Sequence, residues 1–297
     1  MELQQLRYFV SVAELKHFTK AAKACRVAQP SLSQQIKKLE AELGSPLFHR
    51  QGRNIVLTEC GHALLPRAQM MLSLHDNTVA EMNDIGAHFG TVRFGIIQTM
   101  APYVIPYMLN LHRQNGLPNF EIHEDFTEYL LQKLSDGQLD FAVMSSPIVA
   151  TNLLAKVIAR EPFVAVVPSG SELTKLKKLK LSDLKRKTFL PLSRIHCAGK
   201  QIHELCKLAD YQQQVTLQSF QIETILRLVS CGDYTTVVPL MAMSGGERPG
   251  VVQLPLANAS IQREITIVQH PDRYQSKASR ELMNSLSAAI RDLTQSR

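Results

Sequence analysis

The 297-residue chain has 45% hydrophobic and 20% charged residues, the composition of a globular protein large enough for two or three compact units. No apolar run approaches the roughly 20 residues needed to cross a bilayer, and the first residues lack a secretory signal, so we expect a cytoplasmic protein with no membrane partner. The five cysteines are therefore not expected to form a disulfide framework. The net charge is +7, and residues 1–67 hold ten Lys and Arg against five Asp and Glu, which favours an acidic partner for this segment.

Three short helices are predicted near the N-terminus. Apolar side chains at helical spacing predict a first helix that begins near Leu3, and a second is predicted over Phe18–Cys25. The third begins at Gln29, with Pro30 in a first turn that needs no backbone N–H donor, and it ends at Gly44. This succession is typical of a helix-turn-helix.

A β-hairpin and one long helix are predicted next. Two short strands, Pro46–Arg50 and Asn54–Leu57, flank Gln51-Gly52-Arg53 and predict a hairpin wing. Thr58 is expected to cap a helix that runs to about residue 86 and bends at Pro66. The apolar seam of this helix comprises Leu65, Ala68, Leu72, Val79 and Met82.

From residue 91 onward, strand-like runs alternate with helical stretches. The first predicted strands are Thr91–Gln98, Phe120–Asp125, Phe141–Ser146 and Phe163–Pro168, with helices over Tyr103–Gln114 and Glu128–Ser135. The second set of predicted strands is Thr188–Leu192, Val215–Phe220, Thr236–Pro239 and Glu264–His270. Such alternation is typical of parallel sheets covered by helices. Two lobes of this kind, with the chain crossing between them, predict a cleft that binds a small ligand.

Polar residues cover the outer face of the third predicted helix. Ser31, Ser33 and Gln34 can reach base edges or phosphates from the major groove of DNA. The basic residues that extend this surface along the helix and onto the wing are Lys37, Lys38, Arg50 and Arg53. The alternative interpretation is an ordinary solvated helix face whose serines cap the helix.

The N-terminal segment resembles the DNA-binding domain of the LysR-type regulators. The stretches that carry the resemblance are Phe18–Ala22, Gln29–Glu40, Leu43-Gly44, Leu47–Arg50 and Leu57–Gly61. The resemblance extends over the whole chain and implies a transcriptional regulator that forms a homodimer through its long helix, usually within a homotetramer. The partners that it implies are a double-stranded DNA operator and RNA polymerase. The residues that it places at the DNA are Gln29, Pro30, Ser31, Ser33, Gln34, Lys37, Arg50 and Arg53.

The pattern and the resemblance together predict three parts. We expect an α-rich winged helix-turn-helix over residues 1–58, a linker and dimerisation helix over 59–88, and a sensor domain over 89–297. The resemblance implies that the sensor is an α/β domain of two Rossmann-like lobes, similar to a periplasmic binding protein. Lobe I is expected at about 89–163 and 268–297, and lobe II at about 164–267.

The sensor region carries a motif of one histidine and two cysteines. His196-Cys197 is followed nine residues later by Cys206, which resembles the peroxide-sensing, OxyR-like branch of the same family. The resemblance implies hydrogen peroxide as the signal, Cys197 as the peroxidatic cysteine and Cys206 as the resolving cysteine. The residues that it implies for peroxide binding and thiolate stabilisation are Thr99, Thr127, His196 and Arg263.

Physical chemistry connects these cysteines to a switch. Attack on peroxide requires a thiolate, and Cys197 precedes a predicted helix over Gly199–Ala209 whose free N–H groups favour an anion. If the segment is helical, the Cα atoms of Cys197 and Cys206 lie about 13 Å apart. A disulfide needs Cα atoms within about 7 Å. Disulfide formation would therefore unwind or fold back the segment, an order–disorder change that a dimer interface can read.

Other interpretations of these residues remain open. A single cysteine is most often a buried small residue, which is favoured for Cys25, Cys60 and Cys231. A metal site from His196, Cys197, His203 and Cys206 matches no established zinc spacing, and neither metal nor cofactor is expected. Thr99 at a helix N-terminus would instead suit a small organic anion, so that a metabolite between the lobes gates the same regulator. A Cys197/His196 dyad lacks a third orienting group, so no enzyme is expected.

Overall fold

The computed structural model describes residues 1–51, 54–85, 90–111, 117–150, 152–186, 188–208, 219, 221–244, 246, 248–257 and 262–295. The chain forms two compact units. The first, N-terminal unit comprises Met1–His88 with Asp272–Tyr274, and the second comprises Phe89–Pro271 with Gln275–Arg297. Within the described ranges, no helix is both long enough and apolar enough to cross a membrane.

Three helices open the N-terminal unit, as predicted. They are α1 (Leu3–Leu15), α2 (Phe18–Ala24) and α3 (Gln29–Leu43). Pro30 lies in the first turn of α3, and Gly44 ends the helix with a φ of 70°, a left-handed conformation that glycine adopts without strain. The helices enclose a core whose most buried members are Phe9, Val12, Leu32, Ile36, Leu39 and Leu47.

The predicted hairpin and long helix are also present. Strands β1 (Phe48–Gln51) and β2 (Asn54–Leu57) pair antiparallel, while the predicted turn residues Gly52 and Arg53 lie outside the described residues. Helix α4 (Glu59–Ile85) follows and contains Pro66. The Thr58 hydroxyl accepts a hydrogen bond from Gly61 N at 2.9 Å, the capping contact that its position predicted.

The predicted seam of α4 has two different surroundings. Ala68 is buried in the core of its own unit, and Leu65 and Leu72 pack against that core. Val79 and Met82 are 46% and 53% exposed. The first half of the seam therefore stabilises the N-terminal unit, whereas the second half presents apolar side chains on the surface of that unit.

The second unit begins with the three parallel strands of lobe I. Their sheet order is β4 (Phe120–Asp125), β3 (Val92–Ile97), β5 (Phe141–Ser145). The helices of this lobe are α5 (Ala101–Leu111), α6 (Thr127–Ser135) and α9 (Lys277–Gln295). The predicted helix over Tyr103–Gln114 corresponds to α5, whose last predicted residues lie outside the described ones. A core of apolar residues from these strands and helices holds the lobe together.

Two antiparallel strands continue the sheet beyond β5. They are β6 (Leu154–Pro168) and β10 (Gln262–Gln269), and β10 pairs with β5 on one side and β6 on the other. The predicted parallel sheets are therefore mixed sheets, because the strands on which the chain crosses between the lobes are antiparallel to their neighbours. The prediction that β6 begins at Phe163 was wrong, because exposed and charged residues such as Lys156 and Arg160 hide the strand pattern of its first half.

Lobe II is built on the second half of β6. Strands β8 (Tyr234–Pro239) and β9 (Val251–Pro255) pair with it, and β7 (Thr188–Phe189) pairs with β8. Its helices are α7 (Cys197–Leu208) and α8 (Ile222–Ser230), and a second apolar core lies between helices and strands. The predicted strand Val215–Phe220 lies outside the described residues except for Ser219, which bridges Leu192. The two-lobed α/β fold predicted for the sensor is confirmed.

Candidate functional site

The carboxyl edge of the parallel strands in lobe I collects hydroxyl side chains. Ile97 at the end of β3 is the register partner of Asp125 at the end of β4. Thr99 and Thr127 each follow two residues after these strand ends, so both belong to this edge. Ser146 follows directly after β5, on the other side of β3. Ligands bind outside the carboxyl ends of such strands, which makes this edge the candidate site.

Cys197 faces this edge from lobe II. It is half-buried and is the first residue of α7, and its Sγ lies 3.2 Å from Thr127 Oγ1. The neighbouring residues also meet, because the ring of His196 packs on that of Phe126 with 5.4 Å between centroids. His196 is buried, with 5% of its surface exposed. Two adjacent residues of lobe I therefore contact two adjacent residues of lobe II.

Cys197 also lies where a helix favours an anion. The first N–H groups of a helix have no partner within it, and their dipoles stabilise negative charge near the first turn. The helix starts two residues earlier than the sequence predicted, at Cys197 rather than Gly199. The Cys197 sulfur therefore belongs to the first turn itself.

Gly199 allows α7 to begin at this place. A Cβ atom at this residue would lie 2.1 Å from the carbonyl oxygen of Ser193, a separation that real Cβ atoms do not reach. The loop that precedes α7 therefore packs directly against the backbone of its first turn. Nothing in the local sequence pattern predicted this contact, because it depends on how the chain folds back at Ser193.

A second contact joins α7 to the same edge, one helical turn after Cys197. Gln201 Nε2 donates a 2.7 Å hydrogen bond to the carbonyl oxygen of Ser146, whose hydroxyl lies 2.9 Å from that of Thr266. Because β3 lies between β4 and β5, Thr99 lies between Thr127 and Ser146 along the edge. The first turn of α7 therefore spans the part of the edge that holds Thr99.

Thr99 is held by a fully buried charged side chain, Arg263. Arg263 Nη1 donates to Thr99 Oγ1 at 3.1 Å, and Arg263 Nε donates to Glu161 Oε2 at 2.6 Å. Both charged side chains have no exposed surface. Glu161 Oε1 in turn accepts from the backbone N–H of Met241 at 2.7 Å. Among the residues that the structure describes, Arg263 Nη2 has no hydrogen-bond partner.

These contacts refine the sequence interpretation of the site. The structure brings Thr127 and Cys197 together and, separately, Arg263 and Thr99. The sequence interpretation missed Glu161, which lies two residues before the predicted strand Phe163–Pro168 and gave no signal of its own. Only the pairing of β6 with β10, which makes Arg263 and Glu161 register partners, reveals it.

Cys206 lies on α7 but away from this edge. It has 1% of its surface exposed and packs in the core of lobe II with Ala198 and Ile202. Because α7 is continuous from Cys197 to Leu208, the Cα atoms of the two cysteines lie about 13 Å apart along the helix. The two cysteines are not joined by a disulfide in this structure.

The remaining cysteines differ from the interpretation that all three are buried. Cys25 is half-buried, but Cys60 and Cys231 are exposed. Cys60 is the second residue of α4 and lies on its outer face, and Cys231 follows the last residue of α8, where its Sγ lies 3.5 Å from the carbonyl oxygen of Arg227. The interpretation was wrong for these two because both helix ends lie at the surface.

The metal alternative has no support from the part of the chain that the structure describes, where no three His, Cys, Asp or Glu side chains form a group able to hold an ion. His203 Nε2 lies instead 3.3 Å from Arg194 Nη1.

A polar cluster links the lobes at a second place. Arg248 donates to both carboxylate oxygens of Glu223, at 2.7 and 2.8 Å, and the Tyr103 hydroxyl donates to Glu223 at 3.2 Å. The hydrogen bonds from Arg248 lower the pKa of Glu223 despite its partial burial. Burial raises the pKa of Tyr103, and the negative charge of Glu223 adds to the effect. Tyr103 of α5 is thus held to α8 by charge-assisted contacts.

The predicted DNA-contacting residues lie on α3 of the N-terminal unit. Pro30, Ser31, Gln34 and Lys37 are exposed, as is the neighbouring Lys38. Gln29 and Ser33 are half-buried and bonded to each other, with Gln29 Nε2 donating to Ser33 Oγ at 2.9 Å. The side chains of Arg50 and Arg53 lie outside the described residues. The outer face of α3 therefore offers hydroxyl, amide and ammonium groups to a partner.

Two family models together cover most of the chain. The model described as "Bacterial regulatory helix-turn-helix protein, lysR family" matches residues 3–62. The model of the LysR substrate binding domain matches residues 86–291. These matches correspond to the N-terminal unit and to the two-lobed unit.

Relatives and solved structures extend the match to full length. The hydrogen peroxide-inducible genes activator of Haemophilus influenzae is 30% identical over 294 residues, covering 94% of this chain and 95% of the relative. A probable RuBisCO transcriptional regulator of Thalassiosira pseudonana is 32% identical, covering 96% of each. Full-length OxyR of Pseudomonas aeruginosa, solved as a cysteine-to-aspartate variant, has a TM-score of 0.77 at 28% identity, covering 99% of this chain and 96% of that one. The chain therefore belongs to the LysR family of bacterial transcriptional regulators.

Proposed function

We propose that this protein is a DNA-binding transcriptional regulator that senses hydrogen peroxide through a thiol–disulfide switch between Cys197 and Cys206. The observation that carries the proposal is the 3.2 Å contact between Cys197 Sγ and Thr127 Oγ1, at the start of a helix that also holds Cys206. The names of a relative and of a structural neighbour, the hydrogen peroxide-inducible genes activator and OxyR, support the same signal.

The proposed reaction begins with attack of the Cys197 thiolate on one oxygen of peroxide. The S–O bond forms as the O–O bond breaks, so that Cys197 becomes a sulfenic acid and the departing hydroxide takes a proton to leave as water. The free N–H groups at the start of α7 favour the thiolate that this step requires. The Thr127 hydroxyl is close enough to the sulfur to orient the peroxide for in-line attack.

The second step consumes the thiol of Cys206. Its sulfur attacks the sulfenic sulfur of Cys197, the S–S bond forms, and the hydroxyl group leaves as a second water. Two thiols and one peroxide thus become one disulfide and two waters. Since the Cα atoms must approach from about 13 Å to about 7 Å or less, α7 has to unwind for this step.

Unwinding would break the contacts that the start of α7 makes with lobe I. These contacts include those of Cys197 with Thr127 and of Gln201 with Ser146. It would also withdraw Cys206 from the core of lobe II. The redox state of one thiol pair is thereby coupled to how the two lobes are held, which is the order–disorder change that reaches the DNA-binding unit in our proposal.

The N-terminal unit supplies the proposed DNA contacts. The exposed residues Ser31, Gln34 and Lys37 on α3 suit the major groove and its phosphates. We place the protein in the cytoplasm as a homodimer or homotetramer joined through α4, with RNA polymerase as its partner in transcription. The exposed apolar residues Val79 and Met82 on α4 support such an interface.

The test is mass spectrometry of the full-length protein before and after a near-stoichiometric pulse of hydrogen peroxide. We expect a Cys197–Cys206 disulfide in the peptide map, together with altered footprinting on operator DNA. Cys197→Ser should abolish both effects, and Cys206→Ala should leave Cys197 as a persistent or over-oxidised sulfenic acid. Cys231→Ser is the matched control, because this exposed thiol takes no part in the proposal. Free Cys197 and Cys206 thiols with unchanged DNA footprints would contradict the proposal.

A second candidate signal is a small organic anion bound at the same edge. The observation that favours it is Arg263 Nη2, a buried cationic donor without a hydrogen-bond partner in the described part of the chain. In that case the cysteine variants would respond to inducer like the unmodified protein. The peroxide experiment therefore separates the two signals, because only the redox switch depends on Cys197.

A further inference from the structure

Two arginine–glutamate pairs lie next to each other across the same two strands. In the antiparallel pairing of β6 with β10, Glu161 is opposite Arg263 and Arg160 is opposite Glu264. Because successive residues of a strand point to opposite faces, the two pairs lie on opposite faces of the sheet. Arg160 and Glu264 are 68% and 38% exposed, with their closest atoms 3.1 Å apart. Arg263 and Glu161 have no exposed surface.

The buried pair faces the site. Arg263 binds Thr99 through Nη1 and Glu161 through Nε, which fixes the plane of the guanidinium group. This geometry leaves Nη2 as its remaining N–H donor group, and among the described residues Nη2 has no partner. A buried donor of this kind is costly unless an acceptor meets it. Peroxide has oxygen lone pairs that can accept such a hydrogen bond.

Glu161 determines where that donor points. One carboxylate oxygen accepts from Arg263 and the other accepts from the backbone N–H of Met241, the second residue of a 3₁₀ helix over Leu240–Met243. The carboxylate is thus anchored on both oxygens, and the guanidinium can rotate only if one of these bonds breaks. Glu161 also neutralises the charge of Arg263, so that the site can bury the cation.

We infer that Glu161 is a positioning residue for the peroxide reaction, which holds Arg263 so that its Nη2 donates to the peroxide that Cys197 attacks. The inference rests on the proposed function and adds to it a residue that need not contact peroxide itself. Two roles of Arg263 can then be distinguished. A hydrogen-bond donor for peroxide changes only the rate at which Cys197 reacts with peroxide. A group that alters the reactivity of the Cys197 thiol would change its reaction rate with every electrophile.

The experiment compares two reactions of Cys197 in the full-length protein. One is oxidation by hydrogen peroxide, followed by stopped-flow trapping of the remaining thiol. The other is alkylation by iodoacetamide, which needs the same thiolate but presents no peroxide oxygens. Glu161→Gln keeps the shape of the side chain and removes its charge. Glu264→Gln makes the same change in the exposed pair on the opposite face and is the matched control.

We expect Glu161→Gln to lower the rate constant for peroxide by about tenfold to a hundredfold, because a small misplacement of a positioned group has an effect of this size. Alkylation should stay within about twofold, and Glu264→Gln should leave both rates unchanged. When added to Arg263→Gln, Glu161→Gln should lower the peroxide rate no further, since it acts through Arg263. If Glu161→Gln does not fold, the ratio of the peroxide rate to the alkylation rate is measured in Glu161→Asp, because aspartate retains the charge but has a shorter side chain.

Two results would overturn the inference. One is an unchanged ratio of peroxide oxidation to alkylation in a folded Glu161 variant, including the case in which both rates fall together. The other is a further loss when the Glu161 change is added to Arg263→Gln. Failure of the proposed function is distinguishable, because Cys197 of the unmodified protein would then not react with peroxide at all.

Discussion

Cys197 and Cys206 project from opposite sides of one helix. Nine residues make two and a half turns of α7. The Cys197 sulfur contacts Thr127 of lobe I, so the Cys206 side chain lies on the far side of the helix, in the core of lobe II. The folded helix thus keeps the two thiols apart and shields Cys206 from solvent. In the proposed switch, oxidation of Cys197 therefore comes first and rearrangement of α7 follows.

The order of events follows from the contacts of each thiol. Cys197 is half-buried beside a hydroxyl group, whereas Cys206 has 1% of its surface exposed among apolar side chains. Thiol reactivity depends on access, which favours Cys197. In our proposal Cys206 therefore reacts only after α7 has begun to unwind, so that the loss of helix contacts accompanies disulfide formation.

Thr127→Val should slow oxidation of Cys197 without preventing it. Valine has nearly the same volume but lacks the hydroxyl that lies 3.2 Å from Sγ. We expect the rate constant for peroxide to fall by about tenfold, because in our proposal the hydroxyl orients the peroxide. The rate of thiol loss measured by stopped flow checks this. Thr224→Val, at an exposed position of α8, is the control, and equal rates in both variants would exclude Thr127 from the reaction.

Gly199→Ala should destabilise the start of α7. The new Cβ atom would lie 2.1 Å from the carbonyl oxygen of Ser193, so helix or loop must shift. The free energy of unfolding should fall by about 1–3 kcal/mol, as for other overpacked sites. Gly170→Ala is the control, because its Cβ would meet nothing within 4 Å. Urea unfolding of both variants measures the difference, and equal midpoints would refute the close packing at Gly199.

Local patterns were sufficient to predict the N-terminal unit. Helix α3 begins at Gln29 and ends before Gly44 as expected, because Pro30 and Gly44 act on their immediate neighbours. The position of Cys197 at a helix start was nearly right for the same reason. Signals of this kind depend on the few residues on either side of a helix boundary, which the sequence contains in full.

Long-range pairing could not be predicted in the same way. The first half of β6 carries charged residues and resembles a loop until its pairing with β10 is known. Glu161 and Gln201 join the site only through contacts with residues more than 50 positions away, namely Arg263 and Ser146. Such partners come together through the tertiary fold, so the sequence reveals the two chemical groups but not their contact.

Lys37→Ala should weaken DNA binding with little dependence on the DNA sequence. Lys37 is exposed on the outer face of α3 and would contact a phosphate in our proposal. Loss of one phosphate contact should reduce the slope of log K against log salt by about 0.9. Titrations of operator DNA at several salt concentrations check this. Lys177→Ala, at an exposed position of the sensor, should leave the slope unchanged, and an unchanged slope for Lys37→Ala as well would place the DNA elsewhere.

Val79→Asp and Met82→Asp should each weaken dimerisation and operator binding together. Both side chains are exposed apolar residues of α4, and a partner helix would bury the new charge without a counter-ion. Analytical ultracentrifugation and operator titration measure the two effects. Met70→Asp is the control, since Met70 is 70% exposed and lies half a turn away from Val79 around the helix. Intact dimers in both seam variants would exclude this face of α4 from the interface.

Glu223→Gln should destabilise the sensor at neutral pH and have a smaller effect in acid. Hydrogen bonds from Arg248 lower the pKa of Glu223 in the folded protein, so its carboxylate stabilises the fold at pH values above the unfolded pKa of about 4.3. This contribution is lost as the pH falls through the lower folded pKa, because the protonated carboxyl then resembles the glutamine amide. Since the Glu223 side chain is 46% exposed, we expect a loss below about 1 kcal/mol at pH 7.

Urea unfolding at pH 7 and at pH 3.5 measures this difference. The midpoint of Glu223→Gln should lie below that of the unmodified protein at pH 7 and approach it at pH 3.5. Glu172→Gln is the control, because Glu172 forms a more exposed ion pair with Lys175, three residues away on the same 3₁₀ helix. It should change neither midpoint appreciably, since solvent screens such a pair. An equal loss of stability in Glu223→Gln at both pH values would contradict the prediction. Glu223 would then stabilise the fold through packing and not through its charge between Tyr103 and Arg248.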